Sequence, residues 1–161
     1  MALLGAACED TTPSPELRAE LEGVVKRYLL QLATAYSEMD ASLLEGYATE
    51  SEIRDTAKLI RQLGWSGDRV EATLLGVEFK DVRVFREINA SVSLIEVWDI
   101  RRIDPATGRE KARNPHTVQN SFIQLRKIEG KWMVTARRVQ ETNRPGKWKV
   151  VTPAPTPTAG G

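Results

Sequence analysis

The chain has 161 residues, 41% apolar, 28% charged and 6% aromatic, enough for one compact domain and too few for two. Twenty-three Lys and Arg against 22 Asp and Glu leave a formal charge of +1, which argues against a uniformly basic nucleic-acid sleeve and against an acidic disordered chain. A single cysteine and a single histidine exclude an intramolecular disulfide and a Cys-based zinc site, no run reaches the ~18 apolar residues of a membrane span, and neither a metal nor a cofactor is expected.

Met1 to Cys8 reads as a brief apolar run, Ala2 to Leu4, then the small residues Gly5, Ala6 and Ala7 directly before the cysteine. Glu9 to Ser14 comes next with no aliphatic or aromatic side chain, a short tether. This order resembles the end of a bacterial lipoprotein signal, and the resemblance implies that the Cys8 thiol accepts diacylglycerol and holds the protein on a membrane surface by acyl chains. From the residues alone, the same stretch is a floppy N-terminus with a free thiol. At the other end, Thr152 to Gly161 alternates Pro with Thr and Ala before two glycines and cannot donate a regular ladder. The organisation is therefore a residual signal-like segment and tether over 1–14, a folded domain over 15–150, and a disordered Pro/Thr-rich tail over 151–161.

Ser14-Pro15-Glu16 is a helix start: a side-chain acceptor at the N-cap, a proline pre-set at the first helical position, and an acid near the positive end of the dipole. Leu17, Leu21, Val24, Val25, Tyr28, Leu29, Leu32, Ala35 and Tyr36 recur at spacings of three and four, predicting one long amphipathic helix to about Met39. Asp40 is read as the cap of a short second helix with Leu43, Leu44 and Tyr47. Thr49 or Ser51 starts a third carrying Ile53, Ala57, Leu59, Ile60 and Leu63, stopped by Gly64.

Beyond Gly64 the period changes from 3.6 to 2. Val70 to Phe85 is extended, with Leu75, Val77 and Phe79 assigned to one face, Gly76 as a bulge, and Val82 and Val84 resuming the alternation. Ile88 to Ile103 is a second strand whose Ala90, Val92, Leu94, Trp98 and Ile100 share a face. After the Pro105 to Gly108 turn, the polar Arg109 to His116 reads as a connection or a fraying strand end. Val118 to Ile128 and Lys131 to Val139 complete the set, joined at the hairpin signal Glu129-Gly130. Helices first and an antiparallel meander second make the fold class α+β: three N-terminal helices packed in the concave face of a curved sheet of about four strands, a cone.

A long first helix, shorter helices, then long bent strands closing on Ser121 to Val134, with Gly130-Lys131-Trp132 at the turn, resemble the nuclear-transport-factor-2-like (cystatin-like α+β) superfamily. The resemblance implies one of three uses of the cone: an acid/base enzyme of isomerase, dehydratase or cyclase type, a non-catalytic pocket, or an association module using the outer sheet face, commonly a homodimer. Trp132 is expected with its ring on the core and its N–H on a carbonyl.

An enzyme needs a carboxylate or imidazole inside the cone. The candidates are Glu96, His116 and Asp99. Alternation puts Asp99 on the polar side with Asn89, Ser91, Ser93 and Arg101, a cross-strand partner for arginine, and His116 after Asn114-Pro115 reads as exposed. Glu96 stands apart because it falls on the face of Val92, Leu94, Trp98 and Ile100, where it either reaches a pocket or pairs with an arginine such as Arg137 or Arg138. Tyr28, Tyr36 and Tyr47 read most simply as core and, with Trp98 and Trp132, are the expected pocket lining.

Charge is unevenly placed. Met1 to Gly64 carries 11 acidic and 6 basic residues, net −5, and Trp65 to Gly161 carries 11 acidic and 17 basic, net +6. The basic residues of the sheet half, Arg101, Arg102, Arg109, Lys111, Arg113, Arg126, Lys127, Arg137 and Arg138 among them, are expected to be neutralised by the helices of the same molecule, or else to meet an anionic surface; aromatics suited to stacking bases are scarce. The resulting expectation is a non-catalytic binding or association module of the bacterial cell envelope, extracytoplasmic and anchored through Cys8, holding a small apolar ligand. The alternatives are a small acid/base enzyme and a cytoplasmic location.

Overall fold

The computed structural model describes residues 11–143 and 149–150. Cys8 and the tail over 151–161 lie outside them. Helix α1 spans Pro15–Glu38, capped by the Ser14 hydroxyl accepting from Leu17 N at 3.2 Å, and it buries Leu21, Val25, Tyr28, Leu29, Leu32 and Ala35 along one stripe. Met39 ends it in the left-handed conformation at φ 57°. Helix α2 spans Glu50–Gly64.

Among the described residues there are two α-helices, not three. Asp40 caps as expected, accepting from Ser42 N at 2.9 Å, but it caps only one 3₁₀ turn over Ala41–Leu44. The cause lies in the next residues. Gly46 turns the chain at φ 81°, and Val134 N donates to Tyr47 O while Thr49 N donates to Val134 O. Backbone groups tied to a neighbouring strand cannot also close helical rings. Tyr47 is consequently 36% exposed rather than core.

The four long strands β1 (Arg69–Phe85), β2 (Asn89–Ile103), β3 (Glu110–Ile128) and β4 (Lys131–Asn143) pair antiparallel in chain order. A two-residue β5, Lys149–Val150, pairs with Ala112 and Arg113 of β3. The result is an α+β fold with the helices on the concave face of a curved sheet. The polar segment from Arg109 to His116 is corrected: from Glu110 it is the first half of β3, with Arg102 opposite Ala112 and Ile100 opposite Asn114. It reads as loop because its outward positions are filled with charges, and these make cross-strand ion pairs instead of burying surface.

Bulges bend the sheet. The register between β1 and β2 shifts between Leu74 and Gly76, near the glycine, and this displaces Leu75. It is 49% exposed and does not share the buried side with Val77 and Phe79. A second shift falls between Phe79 and Asp81, after which Val82 and Val84 return inward. In β3, Trp98 faces Thr117 while Ile100 faces Asn114, so Pro115 and His116 together stand opposite the single Asp99, one residue in excess, with His116 at φ 54°. Proline is tolerated there because a bulge releases its missing N–H from the ladder.

The inward faces, Ala90, Val92, Leu94 and Trp98 of β2, Ile123 and Leu125 of β3, and Trp132 and Val134 of β4, pack with α1 in one core. The closing hairpin has φ 49° at Glu129 and 78° at Gly130, the two positive values a type I′ turn requires. No side chain crowds a Cβ added at Gly130, so Gly130→Ala should lower stability by about 1 kcal/mol through backbone strain alone. Glu129→Asn should raise it by a few tenths. Urea midpoints of the two variants check the opposite signs.

Candidate functional site

Glu96 is fully buried in the middle of β2. Its Oε1 accepts from Arg137 Nε at 3.0 Å, its Oε2 accepts from Arg137 Nη2 and from Trp98 Nε1, the latter at 2.7 Å. Arg137 Nη2 also donates to Gln119 Oε1 at 2.9 Å. Glu96, Gln119 and Arg137 thus run across β2, β3 and β4. Of the two roles open to Glu96, the arginine pairing is the one realised, with Arg137 rather than the exposed Arg138.

A second buried carboxylate meets this group from α2. Glu52 accepts from the Tyr28 hydroxyl at 2.6 Å, from Thr56 Oγ1 at 3.3 Å and from the Arg137 backbone N–H at 3.2 Å. Burial raises the Glu52 pKa, against the lowering effect of these three donors and the arginine charge. Burial likewise lifts Tyr28 well above the usual phenol value, aided by Glu52, and lifts Tyr36 despite the nearby Arg137 charge. For Arg137 itself burial works downward, but the charge and hydrogen bonds of Glu96 oppose it and the guanidinium is held above its usual range.

Above this network, at the end of the cone framed by the C-terminal halves of α1 and α2 and the start of β1, lies a cavity of about 300 Å³. Leu59, Leu63, Val70, Ala72, Ile100 and Val139 give apolar walls; Tyr36, Trp98, Asn114, Thr117, Gln119 and Arg137 supply its polar atoms. Asn114 and Thr117 are both buried. Three residues apart on a regular strand they would face opposite ways; the Pro115-His116 bulge turns both inward.

The expected site residues do not converge on one place. Trp98 and Tyr36 line the cavity, and Tyr28 lies outside its lining, bonded to Glu52. Tyr47 and Trp132 border a different depression beside α1 and the closing hairpin. Trp132 is buried, but among the described residues its indole N–H has no partner, so the expected carbonyl contact is not seen there, and Lys127 Nζ sits 5.8 Å from its ring centre. Asp99 accepts from Arg113 Nε at 3.0 Å on the outer side of the sheet. His116 is exposed and outside the cavity lining. A larger open depression crosses the outer sheet face around Ser91, Ser93 and Gln124, away from all of this chemistry.

Sequence reasoning missed Glu52, Asn114, Thr117 and Gln119. Glu52 carried a signal: counting back from Ile60 in steps of four gives Thr56 and Glu52, the three buried positions of α2. Four of the basic residues expected to be neutralised by the helices pair instead with acids of the sheet half: Arg101 with Glu71, Lys111 with Asp68, Arg113 with Asp99 and Arg137 with Glu96. Among the described residues no cluster of His, Cys, Asp or Glu could hold a metal, and no helix is long and apolar enough to cross a membrane.

No family model and no curated protein matches the sequence. Among solved structures, the intermembrane space region of the chloroplast protein ARC6 is similar at 15% identity over 79% of this chain and 98% of that one, with a TM-score of 0.64. A structure from Catenulispora acidiphila is similar at 9% identity over 78% and 94%, TM-score 0.53. A periplasmic fragment of TraM is similar at 6% identity over 76% and 96%, TM-score 0.52. At such identities the likeness is one of fold.

Arg137→Met should cost about 3–5 kcal/mol by leaving Glu96 buried and unpaired, and adding Glu96→Leu should recover most of it, as read by denaturant unfolding. Glu52 gives a pH signature. Its folded pKa lies above the usual 4.5, so the folded chain keeps this proton to higher pH than the unfolded chain. The contribution is complete below 4.5 and is lost as pH rises through the folded value. Stability of the wild type relative to Glu52→Gln should therefore fall across that window and then level off.

Proposed function

We propose that this chain is a nuclear-transport-factor-2-like, non-catalytic binding module whose cone holds a small ligand. The observation that carries the reading is the state of the cone carboxylate. Both oxygens of Glu96 are occupied by Arg137 and Trp98, so the group best placed to remove a substrate proton is committed to an ion pair. Asp99 is engaged by Arg113 on the other side of the sheet, and His116 does not line the cavity. A cavity with apolar walls and a few convergent polar atoms is what remains, at the small end of ligand-binding volumes.

Binding of N-phenyl-1-naphthylamine, followed by its fluorescence, tests this. Saturable one-site binding is expected, lost in Ala72→Phe, which fills the cavity, and kept in Ala136→Phe on the outer depression. Binding unchanged by Ala72→Phe would sink the proposal.

The location we propose is extracytoplasmic, with Cys8 as a lipid attachment point. The Ala6-Ala7-Cys8 order supports it, as do two of the similar structures, one an intermembrane space region and the other a periplasmic fragment. The intact mass of protein from its native host should show diacylglycerol on Cys8; an unmodified thiol contradicts it. Self-association through the outer sheet face is a separate proposal, and a monomer by sedimentation at high concentration would remove it.

A further inference from the structure

We infer that the ligand of the cone is an uncharged amphipathic molecule with hydrogen-bonding atoms along one edge, and that carboxylates of the same size are rejected. This rests on the reading of the cone as a binding site and adds the chemical class of its occupant.

Charge decides first, and shape second. A lone buried arginine on a cavity floor would favour an anion. Here Arg137 is matched: its side chain is only 10% exposed, two of its nitrogens donate to Glu96, and one of these also donates to Gln119. Glu52 adds a second acid beneath, bonded to the Arg137 backbone. The floor therefore offers no surplus positive charge. A carboxylate entering it would lose its hydration and face two acids with one cation already paired. Arg102 also lines the cavity and has an interaction of its own.

The polar atoms that remain are neutral and lie on one side. Asn114, Thr117 and Gln119 stand in a row on β3, brought into line by the bulge, and Tyr36 adds a phenol whose raised pKa keeps it protonated. One step further along, Ser121 is 2% exposed and its hydroxyl has no partner among the described residues. Amide and hydroxyl groups both donate and accept, so this strip suits hydroxyl, carbonyl or amide atoms. The facing wall is Leu59, Leu63, Val70 and Ala72.

Three probes of nearly equal shape separate the possibilities: 2-naphthalenemethanol, 2-naphthoate and 2-methylnaphthalene, titrated into the full chain at pH 7 by calorimetry or by displacement of the naphthylamine dye. The alcohol is expected to bind at least tenfold tighter than the carboxylate and measurably tighter than the hydrocarbon. A carboxylate that binds as well as the alcohol overturns the charge argument while leaving the cone a binding site. A hydrocarbon that binds as well as the alcohol overturns the role of the polar strip. If none of the three binds, the binding-module reading fails and this inference with it.

Discussion

The buried ion pair between Glu96 and Arg137 is the constraint on which the rest of the molecule depends. Two opposite charges removed from water must be close and fully bonded, or the fold loses several kcal/mol. That requirement couples distant elements. Glu96 belongs to β2, Arg137 to β4, and Gln119 on the intervening β3 completes the guanidinium's bonds. The Arg137 backbone reaches Glu52 on α2, and Glu52 takes the hydroxyl of Tyr28 on α1. One chain of hydrogen bonds therefore passes through both helices and three strands. It also polices register. A slip of one residue in β2 would carry Glu96 to the outer face and leave Arg137 alone inside, so wrong pairings of these long strands are penalised electrostatically as well as by exposing Leu94 and Trp98.

Strand length and strand bending are solved together. Seventeen and nineteen residues, the lengths of β1 and β3, exceed what a flat ribbon could lay against one helix. The bulges let the strands turn around α1, and each leaves a chemical trace. In β1 the trace is Leu75, pushed outward. In β3 it is the pairing of Asn114 with Thr117 on the inner face, with Pro115 and the positive-φ His116 absorbing the irregularity. A backbone feature needed for curvature thus decides which polar side chains the cavity receives.

How much of this can be read from residues alone depends on whether the signal is local. The cap at Ser14, the α1 stripe, the alternation of β2 and the Glu129-Gly130 turn are local, and they place α1, three of the strand ends and the odd carboxylate at Glu96. The Arg137 partner is a pairing across two strands and could be named only as one of two arginines. The 3₁₀ turn could not be read from Leu43 and Leu44, because what stops that helix is a bridge to Val134, more than eighty residues away. The first half of β3 was obscured because its outward residues are stabilised by charge pairs, which hydropathy patterns do not register. Glu52 was hidden by the neighbouring apolar pair Ile53 and Ala57, one position out of phase with the buried face of Glu52, Thr56 and Ile60.

The two ends of the cone are chemically unlike. At the hairpin end, Trp132 is buried in the core with an N–H that has no partner among the described residues. At the other end, the helices give way to the cavity, and buried polar groups there are either paired, as in Glu96, Arg137 and Glu52, or neutral, as in Asn114, Thr117 and Gln119. A fold that needed only stability would fill that volume with aliphatic side chains, since a satisfied ion pair contributes little over a well-packed apolar replacement. Keeping charges beneath the cavity yet hydrogen-bonding each one gives a floor with no surplus positive charge. On the proposed reading of the cavity as a binding site, such a floor would orient a neutral ligand by hydrogen bonds while the hydrophobic walls supply the affinity.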